Sequence, residues 1–266
     1  MPQIQHQDRI YRLLEGKYKE HNHHSFIAAD PISIPHRFSK LQDIEIIAFW
    51  TAMLAWGNRT AIINSGNRLV QLMDGAPHQF ITQHQEKDLK PFLDFKHRTF
   101  NATDTLYFIE FFRQFYATHN SLEEAFVAEK SFKKELHTEA HLIAFHNRFF
   151  SLEDAPQRTR KHVATPLHKS TCKRLNMYLR WMVRKDKSGV DFGLWHNIKP
   201  TQLLCPLDVH VERVARKLGL IHRQQTDWQT VLELTESLRT FDPKDPDKYD
   251  YALFSLGVLE KDDFKF

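Results

Sequence analysis

One carboxylate stands where a helix is expected to begin. Asp208 follows Pro206 by two positions and precedes a regular apolar repeat. The apolar residues of this repeat, about 3.6 residues apart on average, are Leu207, Val211, Val214, Ala215 and Leu218. They predict an amphipathic helix with Asp208 at its N-cap or in its first turn, among unpaired N–H groups and the positive end of the helix dipole. Such a carboxylate could orient an amine or stabilise a developing cation, and it could equally serve only as a helix cap.

A lysine occupies the corresponding position in the preceding helix. Ser170 and Thr171 are candidate N-caps for a helix over residues 172–184, which places Lys173 in the first turn. A lysine amine beside a carboxylate suggests chemistry at the C1′ atom of a nucleotide. There the amine would displace a base and form a Schiff base, which permits strand cleavage by β-elimination. Helical spacing places Arg180 and Arg184 on the same helix face as Lys173.

The excess positive charge of the chain lies around this lysine. The formal net charge is only +4, but residues 155–187 contain ten lysines and arginines and a single acid, Asp186. A basic segment of this kind is typical of a site for a polyanion, most simply nucleic acid. The alternative is a solvated basic loop that leads into a surface helix.

Composition predicts an almost all-α protein. Glycine is scarce, phenylalanine is plentiful, and long stretches alternate apolar and charged residues at helical spacing. The two cysteines, Cys172 and Cys205, cannot form a disulfide framework or a four-cysteine metal or iron–sulfur site. We therefore predict no metal and no cofactor. No apolar segment reaches membrane-spanning length and the N-terminus is polar, so we expect a cytoplasmic protein without a membrane partner.

A second candidate contact region follows an apolar helix. Residues 44–56 are apolar nearly all round and are predicted to form a core helix, and a new helix is predicted over residues 61–73. The turn between them presents Trp56, Asn58 and Arg59, and Gly57 suits the end of the first helix. The alternative interpretation is ordinary helix capping with a buried Trp56.

Several of these segments resemble a known superfamily. The sequence K-R-L-N-M-Y-L at residues 173–179 resembles the K-T-A-N-V-V-L segment of endonuclease III-like DNA glycosylases, and P-L-D-V-H-V-E-R-V at residues 206–214 resembles their V-D-T-H-V-x-R-V segment. Residues 44–56 and their turn resemble the early core helix and DNA-probing loop. The chain is thus similar to the helix-hairpin-helix (HhH-GPD) superfamily over roughly residues 40–70 and 165–260. It is most similar to a mainly bacterial branch that shares K-R-L-N-M-x-L-R-W-M-V-R and D-P-x-D-P-x-K-Y-D.

The resemblance implies a two-lobed helical protein that flips a damaged base out of double-stranded DNA. One lobe would comprise about residues 1–40 and 185–266, and the other about residues 41–184. Lys173 matches the lysine nucleophile of the superfamily and Asp208 its catalytic aspartate. The residues that match its duplex-inserting side chains are Trp56, Asn58 and Arg59.

The hairpin before the lysine departs from the superfamily pattern. The family has L-P-G-V-G there, with glycines that let backbone N–H groups approach a phosphate, whereas residues 165–172 contain no glycine. Phosphate contact would then come from Lys169, the hydroxyls of Ser170 and Thr171, and helix N-terminal amides. The cations of the following helix that are predicted to bind nucleic acid are Arg174, Arg180 and Arg184.

The substrate prediction depends on one spacing. Lys173 and Asp208 are separated by about twice the distance in sequence found in endonuclease III-type members, while archaeal 8-oxoguanine glycosylases have a comparably long separation and an unusual hairpin. The leading prediction is therefore a glycosylase with AP lyase activity for an oxidised purine such as 8-oxoguanine. One alternative is a nucleic-acid-binding protein that retains the fold without the chemistry. Another is an enzyme that processes nucleotides or RNA.

Overall fold

The computed structural model of the chain describes residues 2–127 and 135–260. Helix dominates these residues, and none of them belongs to a β-strand; His97 and Phe100 form one isolated antiparallel bridge. The predicted all-α class is confirmed. Within the two described ranges, no helix is both long enough and apolar enough to cross a membrane.

The α-helices of the described residues are α1 (Pro2–His21), α2 (Ser25–Ala29), α3 (Leu41–Leu54), α4 (Arg59–Leu72), α5 (Pro77–Gln83), α6 (Ala102–Tyr116), α7 (Glu123–Phe126), α8 (Glu139–Phe149), α9 (Lys173–Val183), α10 (Val209–Lys217), α11 (Trp228–Arg239) and α12 (Asp250–Phe254). Short 3₁₀ segments connect many of them, at Pro31–Ser33, Pro35–Arg37, Glu86–Asp94, Gln157–Lys161, Pro166–His168, Pro200–Gln202 and Pro246–Tyr249. A π-helical turn follows α12 at Ser255–Leu259.

The chain divides into two compact units. Of the described residues, the first unit contains 2–26, 135–139 and 165–260, and the second unit contains 27–127 and 140–164. This division differs from the predicted lobes, because α9 belongs to the first unit and not with residues 41–164. The physical reason is that Arg180 of α9 forms buried ion pairs with Asp191 and Asp250, which lie later in the chain.

In the first unit, α12 packs against both α1 and α10. Leu14 of α1 and Leu253 of α12 are fully buried, and the Tyr249 hydroxyl donates a 2.8 Å hydrogen bond to Glu15 of α1. The residues before α12 form a 3₁₀ turn that begins at Pro246, and the Asp245 side chain makes no capping bond there. The 3₁₀ turn Pro246–Tyr249 therefore connects α12 to α1, and Asp250, directly after it, lies in the interior of the unit.

In the second unit, α3 is the central helix. Its apolar side chains are buried from Ile44 to Leu54, as their all-round distribution predicts. Phe49 makes aromatic contacts with four other phenylalanines at centroid distances of 5.3 to 5.8 Å. These partners are Phe108, Phe112, Phe145 and Phe149. The buried Glu45 is satisfied by hydroxyl donors from Tyr116 at 2.8 Å and Ser121 at 2.5 Å.

Candidate catalytic pair and basic surfaces

Asp208 is the N-cap residue of α10. Its backbone is extended, and its Oδ1 atom accepts hydrogen bonds from the backbone N–H groups of His210 at 2.9 Å and Val211 at 3.0 Å. Two of the amides that every helix leaves unpaired at its first turn are thereby satisfied. The sequence predicted this placement, because the apolar period begins directly after the aspartate.

Lys173 is the first residue of α9 and faces the other oxygen of the same carboxylate. Its Nζ atom lies 3.8 Å from Asp208 Oδ2, and the two side chains are 25% and 24% exposed. The carboxylate thus uses Oδ1 for its own helix and Oδ2 for the lysine. A partly exposed amine and carboxylate at this distance are accessible to a substrate and can exchange a proton after a small side-chain movement.

The hairpin before α9 adopts left-handed backbone conformations without glycine. Lys169 has a φ of 59° and Cys172 a φ of 49°. The Lys169 carbonyl accepts a 3.1 Å hydrogen bond from the Trp228 backbone N–H at the start of α11. The structure therefore places non-glycine residues in the conformation that glycine ordinarily provides.

Some polar groups of the hairpin form hydrogen bonds within the hairpin or to the start of α9. Cys172, and not Ser170 or Thr171, is the N-cap residue of α9, which corrects the predicted cap. The Ser170 hydroxyl accepts a 3.2 Å hydrogen bond from the Cys172 N–H, and the Thr171 carbonyl accepts one from the Asn176 amide at 3.1 Å. Both side chains remain partly exposed, and that of Lys169 is exposed. These three predicted phosphate contacts are therefore accessible.

Two exposed apolar side chains are close in sequence to the pair, and the sequence did not single them out. Leu167 in the hairpin is 62% exposed and Val209, directly after Asp208, is 72% exposed. Single exposed apolar side chains are common on protein surfaces, and apolar groups also contribute to contacts with base edges.

Arg180 and Arg184 do not form a basic surface. They are 5% and 1% exposed, although they were predicted to contact nucleic acid. Arg180 pairs with Asp191 at 3.4 Å and also with Asp250, and Arg184 pairs with Asp191 at 2.9 Å. Arg184 has two further carboxylate partners and a tyrosine hydroxyl, which are Asp186, Asp245 and Tyr18. The prediction was wrong for both arginines, because acids later in the chain, from Asp186 to Asp250, pair with them.

Other parts of the predicted basic face are also partly covered. Asn176, which lies about one helical turn after Lys173, is 1% exposed. Arg174 is half-buried at the start of α9. Among the cations of the hairpin and α9 to which a function was assigned, Lys169 is thus exposed, and Lys173 and Arg174 are partly exposed.

A buried carboxyl group interacts with the Lys173–Asp208 pair. Asp250 opens α12, pairs with Arg180, and is in electrostatic contact with both Lys173 and Asp208. Burial and the nearby Asp208 charge raise the pKa of Asp250 to about 6, against the lowering effects of Arg180 and Lys173. Asp250 ends the D-P-x-D-P-x-K-Y-D stretch, and nothing in the sequence connected it with the pair.

Asp247 is a second carboxyl group in this interior. It is fully buried, and neither of its carboxyl oxygens has a hydrogen-bond partner within the described ranges. Burial raises its pKa well above the ordinary range, although Arg180 opposes the shift. The folded chain therefore favours the neutral acid form of Asp247.

The predicted DNA-inserting residues lie in the second unit. Asn58 is exposed and its side chain caps α4 by accepting a 3.2 Å hydrogen bond from the Ala61 N–H. Arg59, the first residue of α4, and Trp56 are both partly exposed. The structure brings Trp56 together with Arg98, whose guanidinium carbon lies 4.6 Å from the centroid of the indole ring. Nothing in the sequence around Arg98 indicated this contact.

One group of side chains has the spacing of a metal site. Candidate ligand atoms of Glu20, His21 and Glu260 all lie within 4.8 Å of one another. Lys17, however, places its ammonium group 2.8 Å from carboxylate oxygens of both Glu20 and Glu260. This internal cation already pairs with both carboxylates, so the donor set does not favour a metal ion.

Comparison with known proteins identifies one family. The family described as "Protein of unknown function (DUF2400)" matches residues 30–259. No curated protein and no solved structure matches the chain.

Proposed function

For this chain, which belongs to the DUF2400 family, we propose a base-excision DNA glycosylase of the helix-hairpin-helix kind with AP lyase activity, in which Lys173 is the nucleophile. The observation that carries the proposal is the 3.8 Å approach of Lys173 Nζ to Asp208 Oδ2. These are the two residues that the resemblance assigns to the reaction, and they come from helices separated by a long irregular segment.

The chemistry requires a neutral lysine amine and a negative neighbour. Asp208 Oδ2 is placed to take the proton of the Lys173 ammonium group. The amine then attacks C1′ of the flipped nucleotide, and the bond from C1′ to the base nitrogen breaks. The electron pair leaves with the base, which takes the proton from Asp208, so that the aspartate is again a carboxylate. Because Asp208 Oδ1 is held by two backbone amides, the carboxylate keeps its orientation while positive charge develops on the sugar.

The lyase step follows from the covalent product. Loss of a proton from the secondary amine and opening of the sugar ring give a Schiff base between Lys173 and C1′. Removal of a C2′ proton then expels the 3′ phosphate, which breaks the strand by β-elimination. Water hydrolyses the remaining Schiff base and regenerates the lysine. The proposed substrate is double-stranded DNA with an oxidised purine such as 8-oxoguanine, a choice that rests on the resemblance. We also propose a cytoplasmic location, as predicted from the sequence.

The exposed hairpin supports the DNA part of the proposal. Lys169 presents an exposed cation at the end of the hairpin, four residues before Lys173. The partly exposed hydroxyls of Ser170 and Thr171 accompany it. Phosphate contacts of this type fix the register of a protein on the duplex and carry no sequence information.

Borohydride trapping tests the proposal. The protein is incubated with duplexes that carry 8-oxoguanine, uracil or an abasic site, and borohydride reduces any Schiff base to a stable amine. We expect a covalent adduct with the wild-type protein and with Lys169→Ala, and none with Lys173→Ala. The two variants remove the same charge from neighbouring positions, so their difference isolates the nucleophile. An adduct that persists in Lys173→Ala contradicts the assignment.

A non-catalytic nucleic-acid-binding protein is the second candidate. The exposed Lys169 and Leu167 of the hairpin favour it, because binding needs these groups and not the lysine–aspartate pair. Salt-dependent binding to duplexes without base release or adduct, across a broad panel of lesions, would support this candidate and exclude the glycosylase. The same panel prepared with RNA distinguishes an RNA-processing enzyme.

A further inference from the structure

Arg98 of the second unit is held in place by an aromatic stack. Its guanidinium carbon lies 4.6 Å from the centroid of the Trp56 ring, within the range of a cation–π interaction. The guanidinium group lies over the indole ring. Arginine commonly contacts aromatic faces in this way, which leaves its N–H groups available for hydrogen bonds.

Arg98 lies in a tight turn and has an unusual backbone conformation. His97 and Phe100 exchange two backbone hydrogen bonds of 2.9 Å, which close a tight turn over residues 97–100. Arg98 has a φ of 56°, a left-handed conformation that is unfavourable for a residue with a side chain. Non-glycine residues in this conformation are found disproportionately at functional sites.

Gly57 leaves room for the guanidinium. It has a φ of 98°, and a Cβ atom at this position would lie 2.7 Å from Arg98 Nη1. No side chain can be added there unless the arginine moves. The turn after α3 is thus complementary to Arg98.

Trp56 is fixed from a second side. The His97 ring packs edge-on against the indole at a centroid distance of 6.1 Å, and its Nδ1 atom is hydrogen-bonded to the Ser65 hydroxyl at 2.8 Å. A rigid aromatic platform therefore supports the arginine, which lowers the entropy that Arg98 would lose on binding a ligand.

The charge of Arg98 is not neutralised within the part of the chain that the structure describes. The side chain is exposed, and no carboxylate of residues 2–127 or 135–260 forms an ion pair with it. Arg158 differs from Arg98 in this respect. It also reaches this turn, but its N–H groups donate hydrogen bonds to Asp104 and to the Thr99 carbonyl. Arg98 is a preorganised cation with free N–H edges, a combination that suits bidentate binding of a phosphate.

We propose that Arg98, stacked on Trp56, binds a backbone phosphate of double-stranded DNA. This inference rests on the proposed function for its partner, and it adds a contact residue that the resemblance does not supply. The exposed cation supplies the binding energy, and the indole sets its orientation. Trp56 then acts as a support for a phosphate contact.

Binding measurements at several salt concentrations test the inference. An undamaged duplex is titrated with the wild-type protein, Arg98→Ala, Arg98→Lys and the matched control Arg68→Ala, which removes an exposed arginine of α4. Loss of one phosphate contact should lower the slope of log K against log salt by about 1 and weaken binding by about tenfold in Arg98→Ala. Arg98→Lys keeps the charge and should retain the slope, with intermediate affinity because bidentate geometry is lost.

Tryptophan fluorescence gives a second, local readout. Trp56 is partly exposed, whereas the other tryptophans of the chain are buried; these are Trp50, Trp181, Trp195 and Trp228. Quenching by acrylamide should therefore report mainly on Trp56, and DNA should protect it in the wild-type protein. The Trp56→Phe variant should lose this DNA-dependent change.

The outcomes separate the inference from the proposed function. Equal weakening by Arg98→Ala and Arg68→Ala, with no protection of Trp56, would overturn the inference while a Lys173 adduct would still support the glycosylase. Tight binding that depends on Arg98, without any adduct, would retain the inference and reject the glycosylase. Absence of DNA binding in the wild-type protein would overturn both.

Discussion

One carboxylate oxygen of Asp208 faces the Lys173 ammonium group, while the other oxygen caps the first turn of α10. The aspartate therefore has a structural role and a proposed chemical role that a single substitution can separate. An asparagine retains the Oδ1 acceptor and is a favourable N-cap, but it carries no charge. An alanine removes both.

We expect Asp208→Asn to lower the free energy of unfolding by about 0.5 kcal/mol or less, and Asp208→Ala to lower it by about 1 kcal/mol, because only alanine removes the cap. Urea denaturation of the purified variants measures this difference. Both variants should lose adduct formation in the borohydride assay. Adduct formation by Asp208→Asn at the wild-type rate would show that the negative charge is not needed.

Arg180 should matter for stability and not for DNA contact. Its replacement by methionine leaves Asp191 and Asp250 buried without their cation, and breaking one partner of a buried ion pair costs about 3–5 kcal/mol. Lys169→Met is the matched control, because that lysine is exposed, and it should change the free energy of unfolding by less than about 0.5 kcal/mol.

The double variant Arg180→Met with Asp250→Asn provides a check on the cause. It should recover part of the loss, because the uncompensated carboxylate is removed together with its partner. An Arg180→Met protein with wild-type stability and reduced affinity for DNA would restore the sequence-based assignment of Arg180 as a DNA contact.

The contrast between these two sites shows which features the sequence could predict. The all-α class, a helix with Lys173 in its first turn and the cap at Asp208 follow from local periodicity and from the chemistry of helix ends. Residue types suggested that Lys173 and Asp208 act together, and the resemblance gave each its role, but no local rule fixes the distance between two helices across an irregular segment. Each local prediction depended on residues within about one or two helical turns.

The features that the sequence did not predict depend on distant partners. Helical spacing placed Arg180 and Arg184 on one face, but it could not show that carboxylates such as Asp245 and Asp250 would cover that face. The stack of Arg98 on Trp56 joins two turns separated by α4 and α5. Neither turn has a composition that specifies the other.

The left-handed conformation of Lys169 predicts a stabilising substitution. Glycine adopts this conformation without the steric cost that a Cβ atom introduces, which is about 1 kcal/mol or more for other residues. Part of this gain is offset by the greater entropy of glycine in the unfolded chain. We expect Lys169→Gly to raise the free energy of unfolding by about 0.5 kcal/mol relative to Lys169→Ala.

Lys169→Ala is the control because it removes the same charge and keeps the unfavourable conformation. Affinity for DNA should fall equally in both variants, since each lacks the ammonium group. Equal free energies of unfolding of the two variants, measured by urea denaturation, would show that the left-handed conformation of residue 169 does not destabilise the protein. Stronger binding by the glycine variant would indicate that its backbone amides approach the phosphate directly.

Asp250 predicts how the stability of the first unit depends on pH. Burial and the neighbouring Asp208 raise its pKa from 3.8 to about 6, while Arg180 and Lys173 oppose the shift. A carboxyl group whose pKa is raised in the folded state makes the fold more stable at low pH, where the group is protonated in both the folded and the unfolded chain, than at high pH, where it is ionised in both. This contribution is fully present below about pH 4 and is lost as the pH rises through about 6.

The variant Asp250→Asn is neutral at every pH and so imitates the protonated acid. The free energy of unfolding of the wild-type protein, relative to that of Asp250→Asn, should therefore decrease between pH 4 and pH 7 by up to about 1.4 kcal/mol for each unit of the pKa shift. Urea denaturation of both proteins at several pH values measures this difference. It also contains the change in the titration of Asp247, because the Asp250 charge helps to raise the pKa of that neighbour. A difference that stays constant would show that Asp250 titrates alike in the folded and unfolded chain. A difference that increases with pH would show instead that Arg180 holds Asp250 as a carboxylate, so that the buried ion pair outweighs the cost of burial.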